Sequence, residues 1–209
     1  MIRFFDILIS IIALFFLLPF YLIISVIIKI DSRGPIIFKQ KRVGLNKKTF
    51  YIYKLRTMNN NNRFNFGDIK VSNEVTRVGF FLRKYKIDEL PQFFNVLKNG
   101  MSIVGPRPEI KKYITYYLTN DAKFIFMNKP GLTDFASITF FNEDNIFKKN
   151  QLVQNISKDE YYTKFILPKK IKLSLIFLKN KSLKLYFKII LLTFLSIIKN
   201  KNARIKKIL

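Results

Sequence analysis

The 209-residue sequence contains no cysteine, no histidine and no tryptophan. The missing cysteine excludes disulfides, thiolate metal sites and thiol nucleophiles. The missing histidine removes the commonest general acid–base group, so any chemistry falls to Asp, Glu, Lys, Tyr or Ser. A metal in such a chain is a hard ion held by oxygen. Acidic residues are also scarce, 13 against 38 Lys and Arg, for a net charge of +25. Even so, 49% of the residues are hydrophobic and 16% aromatic. A disordered basic tail lacks such apolar content, and an ordinary soluble enzyme is not so lopsided in charge. Greasy and strongly basic together imply a phosphate-dense partner, either nucleic acid or an anionic membrane. The length suits one domain with a small accessory element.

From Ile7 to Ile28 there is no charge, with Asp6 and Lys29 as brackets and Pro19 near the middle. About 22 helical residues reach roughly 33 Å, enough for a hydrocarbon core of about 30 Å. The run is too long for the core of a signal peptide, and no small-residue cleavage pattern follows it. Proline inside a helix removes one hydrogen bond and crowds the preceding turn. Two architectures follow: a kinked single-pass anchor, or a helix–break–helix that enters and leaves by one leaflet. Basic residues flank both ends, Arg3 on one side and Lys29, Arg33, Lys39, Lys41 and Arg42 on the other. A spanning helix normally shows that excess on one side only.

Beyond the apolar run, Ile36 to Phe38 and Phe50 to Leu55 read as strands of a hairpin closed through Val43 to Lys48. Asn59 to Asn62 begins a polar segment, read as a mobile loop up to about Glu74. Short helices are predicted over Thr76 to Lys84 and Leu90 to Leu97, with Pro91 at a first turn, and a longer one over Ile110 to Phe126. Val104 to Pro108 reads as a rigid turn. From Tyr161 to Leu209 lysines interleave with apolar residues and no acid occurs. That pattern suits an amphipathic helix lying on an anionic leaflet, or a helix packed on its own domain with a solvated lysine face. The fold class read here is mixed α/β, mostly helical, with a small β-hairpin. It divides into a membrane helix over 1–30, a catalytic domain over 31–160 and basic C-terminal helices over 161–209. The sparse strand–helix alternation argues against a doubly wound sheet.

Asp88-Glu89 is an acidic pair in a basic neighbourhood, after Arg83, Lys84 and Lys86 and before Leu90-Pro-Gln92. Adjacent carboxylates at a helix start can hold Mg²⁺ and offer a nucleophile. Arg83 and Arg107 can grip phosphate oxygens through planar forks. Taken singly, such a pair is usually solvated or caps a helix. Lys54-Leu-Arg56 at a strand end is, on its own, a hairpin rim.

The order of motifs changes this reading. The proline-broken apolar run is followed by Phe38-Lys-Gln-Lys-Arg-Val-Gly44, then Phe50-Tyr-Ile-Tyr-Lys-Leu-Arg-Thr-Met58. After these come Lys86-Ile-Asp-Glu-Leu-Pro-Gln92 with Phe94-Asn-Val-Leu97, Met101-Ser-Ile-Val-Gly-Pro-Arg-Pro108 and Lys129-Pro-Gly-Leu-Thr133. The series resembles the bacterial sugar transferase family, the monotopic polyprenyl-phosphate phosphoglycosyl transferases. The resemblance runs from about Arg3 to Thr133 and more loosely to Ile198.

The resemblance implies transfer of a sugar phosphate from a UDP-sugar to a polyprenyl (undecaprenyl) phosphate, with release of UMP, at the start of lipid-linked glycan assembly. It implies Asp88 as the nucleophile, Glu89 with Asp88 on Mg²⁺, and Arg83, Arg107, Lys54 and Arg56 on substrate phosphate. It also implies a re-entrant helix broken at Pro19 on the cytoplasmic face of the bacterial inner membrane. Anionic lipids are expected partners, nucleic acid is not, and homo-oligomerisation stays open. Many relatives carry Pro-Gly-Ile-Thr-Gly-Trp-Ala-Gln where this chain has Pro130-Gly-Leu-Thr-Asp-Phe-Ala-Ser137, which leaves the sugar undetermined. The competing reading is a non-catalytic, basic, membrane-attached binding protein. Its nucleic-acid form would need aromatics on a polar basic face, whereas here they crowd into apolar runs.

Overall fold

A computed structural model describes residues 1–59, 75–117, 120–143, 146–147 and 156–199. The uncharged run forms α1, Ile2–Asp31, a helix of 30 residues. Pro19 lies inside it, and the residues on both sides remain helical. The expected break is therefore not a gap in the helix. By length and composition α1 is able to cross a membrane.

The two ends of α1 are held by separate apolar clusters. Ile2, Phe5 and Ile9 pack on the main core, which contains Ile52, Val96, Met101 and Phe135. Ile24 and Ile28 are buried in a second cluster with Leu55 and Leu82. Between these ends, Phe15 and Phe16 are 73% and 72% exposed, and Ile11, Leu18, Leu22 and Ile23 are exposed as well.

The predicted hairpin is present. Strands β1, Ile37–Val43, and β2, Thr49–Leu55, pair antiparallel from Ile37↔Leu55 to Val43↔Thr49. Asn46 and Lys47 adopt positive φ in the connecting turn. Among the described residues, the far edge of β2 has no third strand. Instead the Asn95 carboxamide accepts from Tyr53 N–H at 3.0 Å and donates to Tyr51 C=O at 2.7 Å. One side chain thus replaces two backbone partners and fastens the dyad's neighbourhood to the strand that carries Lys54.

Helix α2, Arg77–Lys84, begins at Thr76, whose side chain caps Gly79 N–H. Helix α3, Gln92–Leu97, begins two residues later than expected, with Pro91 as its N-cap, and a 3₁₀ turn, Ile87–Glu89, carries the two acids ahead of it. A second sheet was not foreseen: β3, Ser102–Val104, lies parallel to β4, Gly131–Thr133. Strands of three residues give too little alternation to be read from sequence. The single helix expected over Ile110 to Phe126 is a 3₁₀ segment, Lys111–Tyr116, followed by α4, Asn120–Phe126. The expected loop from Asn60 to Glu74 lies outside the described residues, and its flanks meet in a bridge between Met58 and Val75.

Helix α5, Phe135–Thr139, is capped by Asp134. After it come α6, Lys158–Tyr161, a π turn over Tyr162–Ile166, and α7, Leu167–Lys179. Pro168, at the start of α7, has no N–H to donate, which favours irregular bonding just before it. Helix α8 is Leu183–Lys199. Helices α7 and α8 are part of the main core, since Phe177, Leu178, Tyr186 and Ile189 are buried against Val96 and Phe135. The opposite side of α8 presents Phe187, Leu191, Phe194, Leu195 and Ile198 to the exterior. One core therefore joins the three segments into which the sequence divides.

Candidate active site

Asp88 and Glu89 are buried, 7% and 9% exposed, in the 3₁₀ turn ahead of α3. The turn is entered through Lys86, whose φ of 57° is a left-handed conformation that costs a non-glycine residue energy. Strain at this point aims two successive carboxylates inward.

Three separate elements bring cations to the pair. Lys54 on β2 donates to Glu89 Oε1 at 2.9 Å. Arg107, in the turn after β3, donates to the same oxygen through Nη2. Arg83 on α2 donates through Nε to Thr57 Oγ1 at 2.8 Å and lies within electrostatic reach of Asp88. The Arg107 turn is pinned on both sides. Gly131 N–H donates to Pro106 C=O at 2.8 Å, and Val43 N–H donates to Glu109 C=O at 2.8 Å.

Arg56 has another task. Its Nη2 donates to the carbonyls of Ile28 and Ser32, at 3.2 and 2.5 Å, which caps α1 and ties it to the end of β2. Its Nε and Nη1 have no hydrogen-bond partner. Pro19 lies in the exposed middle of α1, away from these contacts.

The two carboxylates are in opposite electrostatic states. Burial and the neighbouring Glu89 charge push the Asp88 carboxyl above its ordinary range, against the pull of Lys54, Lys86 and Arg83. Burial alone would raise Glu89 as well, but Arg107 and Lys54 outweigh it and hold Glu89 well below its ordinary range. Burial lowers Lys54 despite Glu89 beside it, while Glu89 raises Arg107 despite burial. Asp88 Oδ1 is buried with no hydrogen-bond partner among the described residues, an arrangement that costs free energy unless something else meets it.

No group of three or more acidic side chains able to hold a metal occurs among the described residues. A pair of carboxylates nevertheless fits Mg²⁺, which keeps several waters and takes the rest of its shell from substrate phosphate. The unpartnered Asp88 Oδ1 is a vacant oxygen donor of that kind, and both cations on Glu89 use Oε1.

Sequence reasoning overlooked Lys86 as part of the site, along with Asp6. Asp6, which only brackets the apolar run in the sequence, is buried and accepts from Ser102 Oγ, Ile103 N–H and Tyr186 OH at 2.7, 2.8 and 2.9 Å. An acid flanking an apolar run is the signal that could have marked it. Lys86 has no such signal, because a left-handed φ is not written in residue type.

The site is thus a buried carboxylate dyad on which Lys54, Arg107, Arg83 and Lys86 converge. The model of the family described as "Bacterial sugar transferase" matches residues 1–200, and the chain belongs to that family. The "UDP-glucose:undecaprenyl-phosphate glucose-1-phosphate transferase" of Xanthomonas campestris pv. campestris is 35% identical over 203 residues, covering 95% of this chain and 39% of that protein. The "UDP-N-acetylgalactosamine-undecaprenyl-phosphate N-acetylgalactosaminephosphotransferase" of Aeromonas hydrophila is 39% identical over 137 residues, 64% of this chain and 32% of that protein. The "Exopolysaccharide production protein ExoY" of Sinorhizobium fredii is 35% identical over 158 residues, 68% of this chain and 70% of that protein. The chain thus spans well under half the length of the first two.

Proposed function

We propose that this protein transfers a sugar phosphate from a UDP-sugar to a polyprenyl phosphate, releasing UMP, through a covalent phosphosugar on Asp88. The observation that carries the reading is the split dyad. Asp88 offers a buried oxygen with no partner, beside a Glu89 already neutralised by Lys54 and Arg107. The donor and acceptor are those for which the similar transferases are named.

The Asp88 carboxylate attacks the β-phosphorus of the donor. A carboxylate O–P bond forms, the P–O bond to the α-phosphate breaks, and its electron pair leaves with UMP. Arg107 and Arg83 hold the charge on the transferred phosphoryl oxygens. Lys54 keeps Glu89 ionised and in place when Arg107 turns to the substrate. A polyprenyl phosphate oxygen then attacks the same phosphorus and frees Asp88. Asp88 and Glu89 would hold Mg²⁺, which supplies charge neutralisation on the diphosphate. No histidine is needed, because neither step requires a proton shuttle.

The acceptor is a lipid, so we read α1 as re-entrant, with both ends at one surface. Ile52 and Leu55, on one strand, belong to the two clusters that hold the two ends of α1. Pro19, midway between those ends, is where this reading puts the bend. The outer face of α8, with Lys184, Lys188 and Lys199 beside its apolar residues, lies on an anionic leaflet in this reading. Nucleotide sugars place the site on the cytoplasmic face of the bacterial inner membrane.

The test is a donor labelled in the sugar, supplied without lipid acceptor. Wild type should acquire label and release UMP, and Asp88→Asn should do neither. Lipid product forming while no label ever stays on the protein would remove the covalent step.

A further inference from the structure

Behind Arg107 lies a cavity of about 230 Å³. We infer that it is the subsite for the sugar ring of the donor, with Ser137 and Glu143 as the residues that select among sugars. The inference rests on the transferase reading.

Three observations converge. The first is position. Arg107 and Lys86 both line the cavity, and both act electrostatically on the dyad. The sugar is one anomeric oxygen from the phosphorus that Asp88 attacks, whereas the uridine lies beyond a second phosphate. The space beside Arg107 is therefore where the sugar falls. A nucleotide sugar entire needs a larger site, since pockets for ligands of that size run to about 300–1,000 Å³.

The second is charge. The chain has only 13 acids, yet Glu109, Asp134, Glu143 and Asp159 all line this cavity. Arg42, Lys86, Arg107, Lys158 and Lys170 line it too, so the wall is nearly charge-balanced and mixes donors with acceptors, which suits a neutral polyol whose hydroxyls donate to carboxylates and accept from cations. Aromatic rings for the C–H faces of a sugar are present in Tyr113, Phe140 and Tyr162.

The third is which groups are already committed. Asp134 accepts from Ser137 N–H at 2.7 Å and Ser174 Oγ at 2.9 Å. Glu109 accepts from Tyr162 OH and Ile110 N–H, both at 2.8 Å. Asp159 accepts from Tyr113 OH at 2.6 Å and Lys112 Nζ at 2.7 Å. These form a fixed frame. Ser137 Oγ, by contrast, is buried with no hydrogen-bond partner among the described residues. Glu143 is partly exposed and pairs with Lys170 at 2.5 Å, and Lys170 lies over the Tyr162 ring at 4.8 Å. An unmatched hydroxyl and an open carboxylate–ammonium pair are the groups free to read a ring substituent, and a group left unmatched in the wrong sugar costs discrimination.

The experiment measures kcat/KM for UMP release by the full chain in lipid nanodiscs with polyprenyl phosphate. The donors are UDP-glucose, UDP-galactose, UDP-N-acetylglucosamine and UDP-N-acetylgalactosamine. Inhibition by UMP is measured in parallel, on wild type, Ser137→Ala and Glu143→Gln. The ratio between the best and second-best donor should change tenfold or more in at least one variant, with the UMP inhibition constant within twofold of wild type. Ratios within twofold in both variants would overturn the assignment. A tenfold weakening of UMP inhibition would also overturn it and give the cavity to uridine. If Glu143→Gln fails to fold once Lys170 loses its partner, Ser137→Ala, which breaks no bond, decides alone. A wild type that releases UMP from no donor would instead remove the transferase reading, and the subsite with it.

Discussion

Asp88 and Glu89 are neighbours of equal burial held in opposite states, and that opposition has a thermodynamic signature. Asp88 is raised above its ordinary range, so its ionised form at neutral pH works against folding. Asp88→Asn should raise the melting temperature of the metal-free protein at pH 7 by about 2–4 °C per kcal/mol relieved. Glu89 is depressed, so its contribution is present above the ordinary carboxylate range and lost as pH falls through its own lowered value. Glu89→Gln should therefore melt lower than wild type at pH 7, and the gap should close on acidification. Thermal melts in EDTA across that range check both signs. An Asp88→Asn protein melting below wild type would show that the burial penalty is not borne at Asp88. The grouping of Asp88, Glu89, Lys54, Arg83 and Arg107 could be expected from the ordered series of motifs and the family it resembles, since each motif alone reads as a cap, a rim or a turn. The role of Arg56 could not, because its motif gives no hint that its guanidinium turns back to the carbonyls of Ile28 and Ser32.

At the scale of elements, the aim of Arg107 depends on two glycines meeting between β3 and β4. A Cβ on Gly131 would sit 2.1 Å from Gly105 N and 2.3 Å from its carbonyl oxygen. Backbone cannot step aside as a side chain can, so Gly131→Ala must spread β3 from β4. The cost is at least the roughly 1–3 kcal/mol of overpacking, and the Pro106 carbonyl loses its donor. A melting temperature several degrees lower and turnover reduced at least tenfold are expected, from melts and UMP release on one preparation. Unchanged turnover would separate Arg107 from this contact. The hairpin and α2 could be read from alternation and a threonine cap, whereas the β3–β4 pair could not. Its stability comes from parallel partners 29 residues apart, Ser102 with Gly131, and not from any local period. The frame of the cavity was hidden for the same reason, since its acids run from Glu109 to Asp159 along the chain and converge only after folding.

For the whole molecule, the re-entrant reading of α1, held at both ends by apolar clusters, makes a prediction about topology. Tags at the N-terminus and near Asn60 should both react with cytoplasmic reagents in spheroplasts and vesicles. Labelling on opposite sides would mean a spanning helix and would detach one of the two clusters. The bond between Asp6 Oδ1 and Tyr186 OH joins residues 180 apart in sequence, and this has a temporal consequence. At about 5–20 residues per second, a ribosome needs roughly 10–40 s to deliver Tyr186 after Asp6 has emerged. Throughout that interval the apolar helix is available to the bilayer while its carboxylate lacks its final partner, which is costly below the headgroups. Asp6 thus holds that end of α1 near water until α8 arrives. Closure of the core, to which both helices contribute, is therefore a late event that waits until the chain has come full circle.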